Sequence, residues 1–348
     1  MLFDASALAF RGRGVTLAGL EPIIDGRLAA VARRSVGERE VVWALAGDFA
    51  GATVRLQVAE EGGRLRLSLA LAGVQPGRDV DALGVRFAVV TGAERYFRNG
   101  YQSWDGSYLT RPGDPPPDHN PSRSPLVGYA FTALLPEAGG ANLVLGFTRC
   151  DRFQNRFRFS ADPRAFTLDV ETLWDRTAHD GRIEADPIVL YEADRLEEGF
   201  RAWSRLVAAD SPLPPRTPER RLTGWCSWYN LYAAIDEAAI LEHLAAARSF
   251  RDQRQVPLDI FLIDDGFTPE MGDWLDVKPQ FPRGMKPLVA DIAAAGFTPG
   301  LWIAPFMVGN RSKLFRAHPD WVVRDRATGE PIAHMTFYGE FRWHKRSE

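Results

Sequence analysis

The sequence predicts a multi-domain chain: an antiparallel β-sandwich first, then a region of alternating parallel strands and helices. Three observations carry this. Up to about residue 195 the chain is written in short stretches of alternating apolar and polar residues, with no long helical pattern between them. At 211–221 it passes through SPLPPRTPERR, where proline density forbids helix and discourages a central strand. Beyond that, strand-like and helix-like patterns alternate, and the strand ends recur at roughly 37 residues. The expected division is 1–195 for the sandwich, 196–220 for a connecting helix and linker, and 221–348 for the α/β part.

Taken in order, Val54, Leu56 and Val58 alternate with polar residues, Glu61-Gly62-Gly63 turns, and Leu65, Leu67, Leu69 and Leu71 alternate again. That is a hairpin pattern. It returns at Val85-Phe87-Val89, at Phe157-Phe159, and at Phe166-Leu168-Val170 after an Asp162-Pro163 turn. Leu196, Phe200, Trp203 and Val207 then fall at helical spacing, so LEEGFRAWSRLVAAD reads as an amphipathic helix. In the second part, LTGWCSWYN (222–230) reads as a strand, followed by a helix capped by Asp236 and running to about Phe250. LDIFLIDDGF (258–267) holds a near-continuous apolar run, as expected of a strand buried on both faces. A helix around Pro287–Ala295 stops at Gly296, FTPGLWIAPF (297–306) is the third strand, and a helix over Ser312–His318 ends at Pro319. A (β/α)8 barrel and a doubly wound sheet share this alternation, so periodicity alone leaves both open.

Composition excludes several classes. The chain has 348 residues, 45% hydrophobic and 25% charged, the balance of an ordinary globular protein rather than a disordered or collagenous one. With 42 basic and 45 acidic residues the net charge is −3, which lacks the positive field that nucleic-acid binding requires. No run of about 18 apolar residues predicts a membrane span, and the first residues lack the charge order of a secretory signal, so a cytoplasmic location is expected. Cys150 and Cys226 are too few for a disulfide framework and read as two reduced, buried thiols. The six histidines form no ligand cluster, and dinucleotide, P-loop, nucleophile-elbow and zinc-protease motifs are absent; neither metal nor cofactor is implied. Nearly all basic residues are Arg, which with the abundant Ala, Gly and Pro points to a GC-rich bacterial gene.

In a parallel α/β fold the ligand lies at the carboxyl ends of the strands. There the sequence places Trp225 and Trp228, then Asp264 and Asp265, then Trp302. Indole faces pack on the C–H face of a sugar ring, and carboxylates accept strong hydrogen bonds from its hydroxyls. Six of the ten tryptophans follow residue 220. An isolated Asp-Asp-Gly is more often a solvated turn, but here the run IFLI precedes it and sets both acids at the mouth of a buried strand. Trp302 alone would more often be core. Trp225 and Trp228, three apart on one strand, point to opposite faces, so one of them is packing. Arg98-Asn99-Gly100-Tyr101-Gln102-Ser103-Trp104-Asp105 reads either as a loop able to reach a cleft or as a capped hairpin with a buried Trp.

As a set, RNGYQSW, GWCSWYNLY, FLIDDGF, GDWL, GFTPGLWIAPF and HPDWVVRD resemble the α-galactosidases of glycoside hydrolase family 36, in order and spacing. The resemblance is loose up to residue 90 and strong from 97 onward. It implies an N-terminal β-supersandwich and a (β/α)8 TIM barrel, of which about the first three βα units are present. It implies that Asp264 and Asp265 accept hydrogen bonds from the 4- and 6-hydroxyls of a terminal galactose. Trp228, Trp302 and, from the sandwich loop, Trp104 match the family's substrate tryptophans; Trp225 does not. The family hydrolyses α-galactosides with retention, through two carboxyls working as nucleophile and acid/base. Both are expected beyond Glu348, since Asp325 and Glu340 stand in neither context, so these 348 residues are expected to recognise the sugar without cleaving it. The partner implied is an α-galactoside, with no cofactor. Three alternatives share the scaffold: a non-catalytic galactoside-binding pseudoenzyme, a raffinose-synthase-type galactosyltransferase and an α-N-acetylgalactosaminidase.

Overall fold

The computed structural model of the chain describes residues 2–101, 105–116, 124–137, 139–213, 216–325 and 327–332, and the backbone of 336–337 and 341–342. Trp104, Gln102, Ser103 and Glu340 lie outside the described residues. Two compact units divide between Arg216 and Thr217, inside the proline-rich segment.

In the first unit, alternation becomes two antiparallel sheets. One, of eight described strands, runs Leu2–Asp4, Ala9–Arg11, Thr16–Ile24, Ala82–Thr91, Leu168–Leu173, Gln154–Phe159, Val127–Tyr129, with Arg27–Leu28 paired to the third. The other, of ten, runs Tyr108–Thr110, Ala93–Arg98, Phe131–Pro136, Asn142–Phe147, Ile188–Ala193, Arg64–Ala72, Thr53–Glu61, Glu40–Leu45, Val31–Val36, with Arg182–Glu184 paired to Arg64–Ala72. The hairpin read at 54–71 is present, Glu61 pairing with Arg64 across a two-residue turn. Its inward residues Val54, Leu56, Leu67 and Leu71 join Phe10, Leu17, Phe87 and Phe157 of the other sheet in one core. Val89, expected inside, is exposed, and Val90 takes the inward place.

Helix α1, Leu196–Asp210, has the bounds its spacing predicts and belongs to this unit. Leu196, Phe200 and Trp203 pack on Val144, Val189 and Tyr191 of the ten-stranded sheet. The Trp203 indole stacks on Phe131 with centroids 4.1 Å apart and donates from Nε1 to the Phe147 carbonyl at 2.9 Å. The strand makes room with Gly146, where a Cβ would stand 2.3 Å from Trp203.

A buried ion pair organises one end of this unit. Arg98 and Asp105, with side chains 2% and 3% exposed, meet through two hydrogen bonds from Nη2, at 2.9 and 2.8 Å. Arg98 also donates from Nη1 to the carbonyls of Asp105 and Gly106 and from Nε to that of Val127. Asp105 accepts from the Tyr101 amide at 2.7 Å. All five guanidinium protons are thereby engaged, as a buried charge requires.

The second unit carries three parallel strands in sequence order: β1, Gly224–Cys226; β2, Ile260–Ile263; and β3, Thr298–Leu301. Helix α3, Glu237–Arg254, separates the first two, and helix α4, Met285–Ala294, the last two. Asp236 caps α3 by accepting from the Ala239 amide at 2.7 Å. Arg251 of α3 donates to the carbonyls of Ala295 and Gly296, covering the open end of α4. Ile240, Leu244, Leu288 and Ile292 from the helices close on Phe261 and Ile263.

Three expectations change here. Residues 222–230 are not one strand: β1 ends at Cys226 and Trp228–Leu231 form a short helical turn, α2. The chain leaves the extended path at Ser227, whose carbonyl accepts from the Leu231 amide at 2.9 Å. The 258–267 run is not buried on both faces, since Phe261 and Ile263 are buried while Ile260 and Leu262 are half-buried. Cys150 is exposed and Cys226 half-buried, so neither is the buried thiol expected.

Asp105→Ala leaves the Arg98 charge buried without its counter-ion. It should cost about 3–5 kcal/mol in urea unfolding of the first unit. Arg201→Ala, which removes an exposed pair with Glu197 on α1, should cost about 0.5 kcal/mol or less.

Candidate functional site

The carboxyl ends of the three strands are tied together by short polar contacts. Ser227, just past β1, is fully buried. Its amide donates to the Leu262 carbonyl at 3.1 Å, and its Oγ accepts from the Asp264 amide at 2.9 Å. On the other side, the Trp302 amide donates to the Ile263 carbonyl at 2.9 Å. The backbone is thus tied on both sides of Asp264, through Ser227 before Trp228 and through Ile263 to the Trp302 amide.

The two acids differ in environment. Asp264 is half-buried, and its Oδ1 accepts from the Asp265 amide at 2.8 Å. Its Oδ2 accepts from the Cys226 thiol at 3.2 Å. Asp265 is only 4% exposed, so a ligand in solution meets Asp264 first. Burial, with the Asp264 charge beside it, pushes the Cys226 thiol up from its ordinary value, which keeps it protonated as a donor. After the acids the backbone turns at Gly266, with φ of 116°.

The aromatic side chains gather at the same end. Trp228, Trp274 and Trp302 are partly buried and pack around Met271 and Ala233, with Ala304 and Met307. Trp274 and Trp302 meet edge to face, centroids 6.0 Å apart. Trp228 meets Tyr232 edge to face at 5.5 Å. Trp225 goes elsewhere, stacked at 4.2 Å on Phe261 of β2 in the core. One of the two tryptophans is thus packing, but not because they share a strand with opposite faces: Trp228 has left the strand. Trp104 falls outside the described residues.

The sequence reading named Asp264, Asp265, Trp228 and Trp302, and the second unit sets all four at one end of its sheet. It overlooked Ser227, Trp274 and Met271 as members of this group, and treated Cys226 as filler. The GDWL motif carried a signal for Trp274; only the fold brings Met271 in. Among the described residues, no three His, Cys, Asp or Glu side chains are placed to hold a metal ion. Nor is any helix among them long and apolar enough to cross a membrane.

A Cβ at Gly266 would stand 2.7 Å from the Ala233 carbonyl oxygen, in a backbone region that side chains rarely adopt. Gly266→Ala should destabilise the second unit by at least about 1–3 kcal/mol. Urea unfolding followed by tryptophan fluorescence reads this directly, and an unchanged midpoint would contradict the geometry.

Comparison with known proteins points one way. Residues 225–334 match the family model Melibiase. The chain is 27% identical over 131 residues to an alpha-galactosidase of Escherichia coli, a match covering 35% of this chain and 18% of that protein. It is 29% identical over 238 residues to a probable alpha-galactosidase C of Aspergillus flavus, covering 59% and 29% respectively. Among solved structures, TtGalA, an alpha-galactosidase from Thermus thermophilus in complex with p-nitrophenyl alpha-D-galactopyranoside, superposes with a TM-score of 0.58 at 28% identity. That match covers 84% of this chain and 55% of TtGalA. The chain thus spans about half of that structure's length and under a third of the two curated relatives. Over residues 225–334 the chain is similar to the melibiase family, and the relatives and the solved structure it matches are α-galactosidases.

Proposed function

We propose that the second unit recognises the terminal α-galactosyl residue of an α-galactoside, as the sugar-binding part of a retaining α-galactosidase. The observation that carries this is the half-buried Asp264 carboxylate at the end of the middle strand, with Trp228 and Trp302 following the strands on either side. A carboxylate has about four lone-pair positions. Asp264 uses one on the Asp265 amide and one on the weak Cys226 donor, which leaves acceptor capacity for ligand hydroxyls. Indoles at the same strand ends suit the apolar face of a pyranose ring. The match to TtGalA, solved with a galactoside, supports the same reading.

On this reading Asp264 and Asp265 take the 4- and 6-hydroxyls. O4 is axial in galactose and equatorial in glucose, so a fixed acceptor there discriminates between the two. Trp228 and Trp302 form the platform. The three βα units are the first part of a (β/α)8 barrel, and the sheets of the first unit form the family's β-supersandwich. On the same reading Asp264 and Asp265 hold the sugar rather than attack it, so these residues bind galactosides without turning them over.

The test is binding and turnover on the 348-residue chain. Melibiose should bind and its glucosyl counterpart should not, measured by calorimetry. Asp264→Ala should weaken melibiose roughly 10-fold to 150-fold, the worth of a hydrogen bond to a charged group. p-Nitrophenyl α-galactoside should give no turnover above buffer. Robust hydrolysis would overturn the account of the catalytic pair, and unchanged affinity in Asp264→Ala would overturn the assignment of the acid.

A further inference from the structure

The Asp264 carboxylate is held from two sides, and one of the holders is a thiol. Its Oδ1 accepts from the amide next along the chain; its Oδ2 accepts from Cys226 Sγ at 3.2 Å, a contact between neighbouring parallel strands. The final torsion of an aspartate is a broad, soft one, so a carboxylate with a single donor swings. A second donor, on the second oxygen, fixes the plane. Ser227, next to Cys226, fixes the backbone of the same residue through its Oγ. Two consecutive side chains where β1 ends therefore set both the position and the plane of one carboxylate just past β2.

Resting on the reading of Asp264 as a sugar-hydroxyl acceptor, we propose that Cys226 is a positioning residue, holding the carboxylate plane at which a galactosyl hydroxyl is recognised. A thiol suits this place better than a strong donor. S–H is a weak donor, so it orients Oδ2 without using up its acceptor strength. It is also neutral, so it adds no charge against the ligand, and its raised protonation range keeps it so. Cys226 does not touch the sugar; it acts through Asp264.

Alkylation of the full 348-residue chain by iodoacetamide, read site by site by peptide mass spectrometry, tests the contact, with exposed Cys150 as the internal reference. Asp264→Asn removes the charge that opposes thiolate formation. It should raise the Cys226 rate on the order of threefold to tenfold and leave Cys150 unchanged. Saturating melibiose should slow Cys226 by a similar factor and leave Cys150 alone. In the binding assay, Cys226→Ala should weaken melibiose on the order of threefold to tenfold, and Cys226→Ser, which keeps a donor, should recover most of that loss. An unchanged Cys226 rate in Asp264→Asn overturns the thiol's hold on the acid. Wild-type affinity in Cys226→Ala overturns the positioning role. A raised rate in Asp264→Asn with no melibiose binding by the parent chain overturns the reading of Asp264 itself, and the positioning role with it.

Discussion

The hydrogen bond from the Asp264 amide to the buried Ser227 hydroxyl is the constraint on which the site depends. It joins the ends of β1 and β2 just where both strands stop. Because Ser227 turns helical there, the chain leaves the sheet before Trp228 rather than continuing along it. Because the Asp264 amide is fixed, its carboxylate can be oriented from both sides. The Trp302 amide on the Ile263 carbonyl repeats the device at the next strand. A site assembled from side chains on three strands needs such ties, since rigid elements alone do not align loop residues.

How much was legible in the sequence depended on how local the signal was. Helix α1 has its predicted bounds because apolar spacing sets its face, and the predicted cap Asp236 acts through a bond to an amide three residues on. The 54–71 hairpin was legible because period-two alternation continues across a two-residue turn. The end of β1 was not. WCSW has the composition of a strand, and what bends it is a buried serine whose partners lie on another strand, at Leu262 and Asp264. Nor does any rule of composition separate the burial of Asp264 from that of its neighbour Asp265.

The same distinction explains the thiols. Both cysteines looked inert from spacing alone, which reports only disulfide and metal patterns. Cys150 lies exposed on the first unit. Cys226 becomes chemically informative only once parallel pairing sets it beside Leu262, two residues before Asp264. The residues that make a site precise are long-range contacts, whereas the motif residues that announce it are local. That is why the tryptophans and the Asp-Asp pair could be named from sequence and their supports could not.

Nuclear magnetic resonance of the chain with nitrogen-15-labelled tryptophan tests the central claim most directly, because indole signals report both units at once. Galactose should shift the indole resonances of Trp228, Trp274 and Trp302 and leave those of Trp43 and Trp174, in the sandwich core, in place. Glucose at the same concentration should shift none of them. Equal shifts with both sugars, or no shift with galactose, would contradict the assignment of this strand end as a galactosyl site.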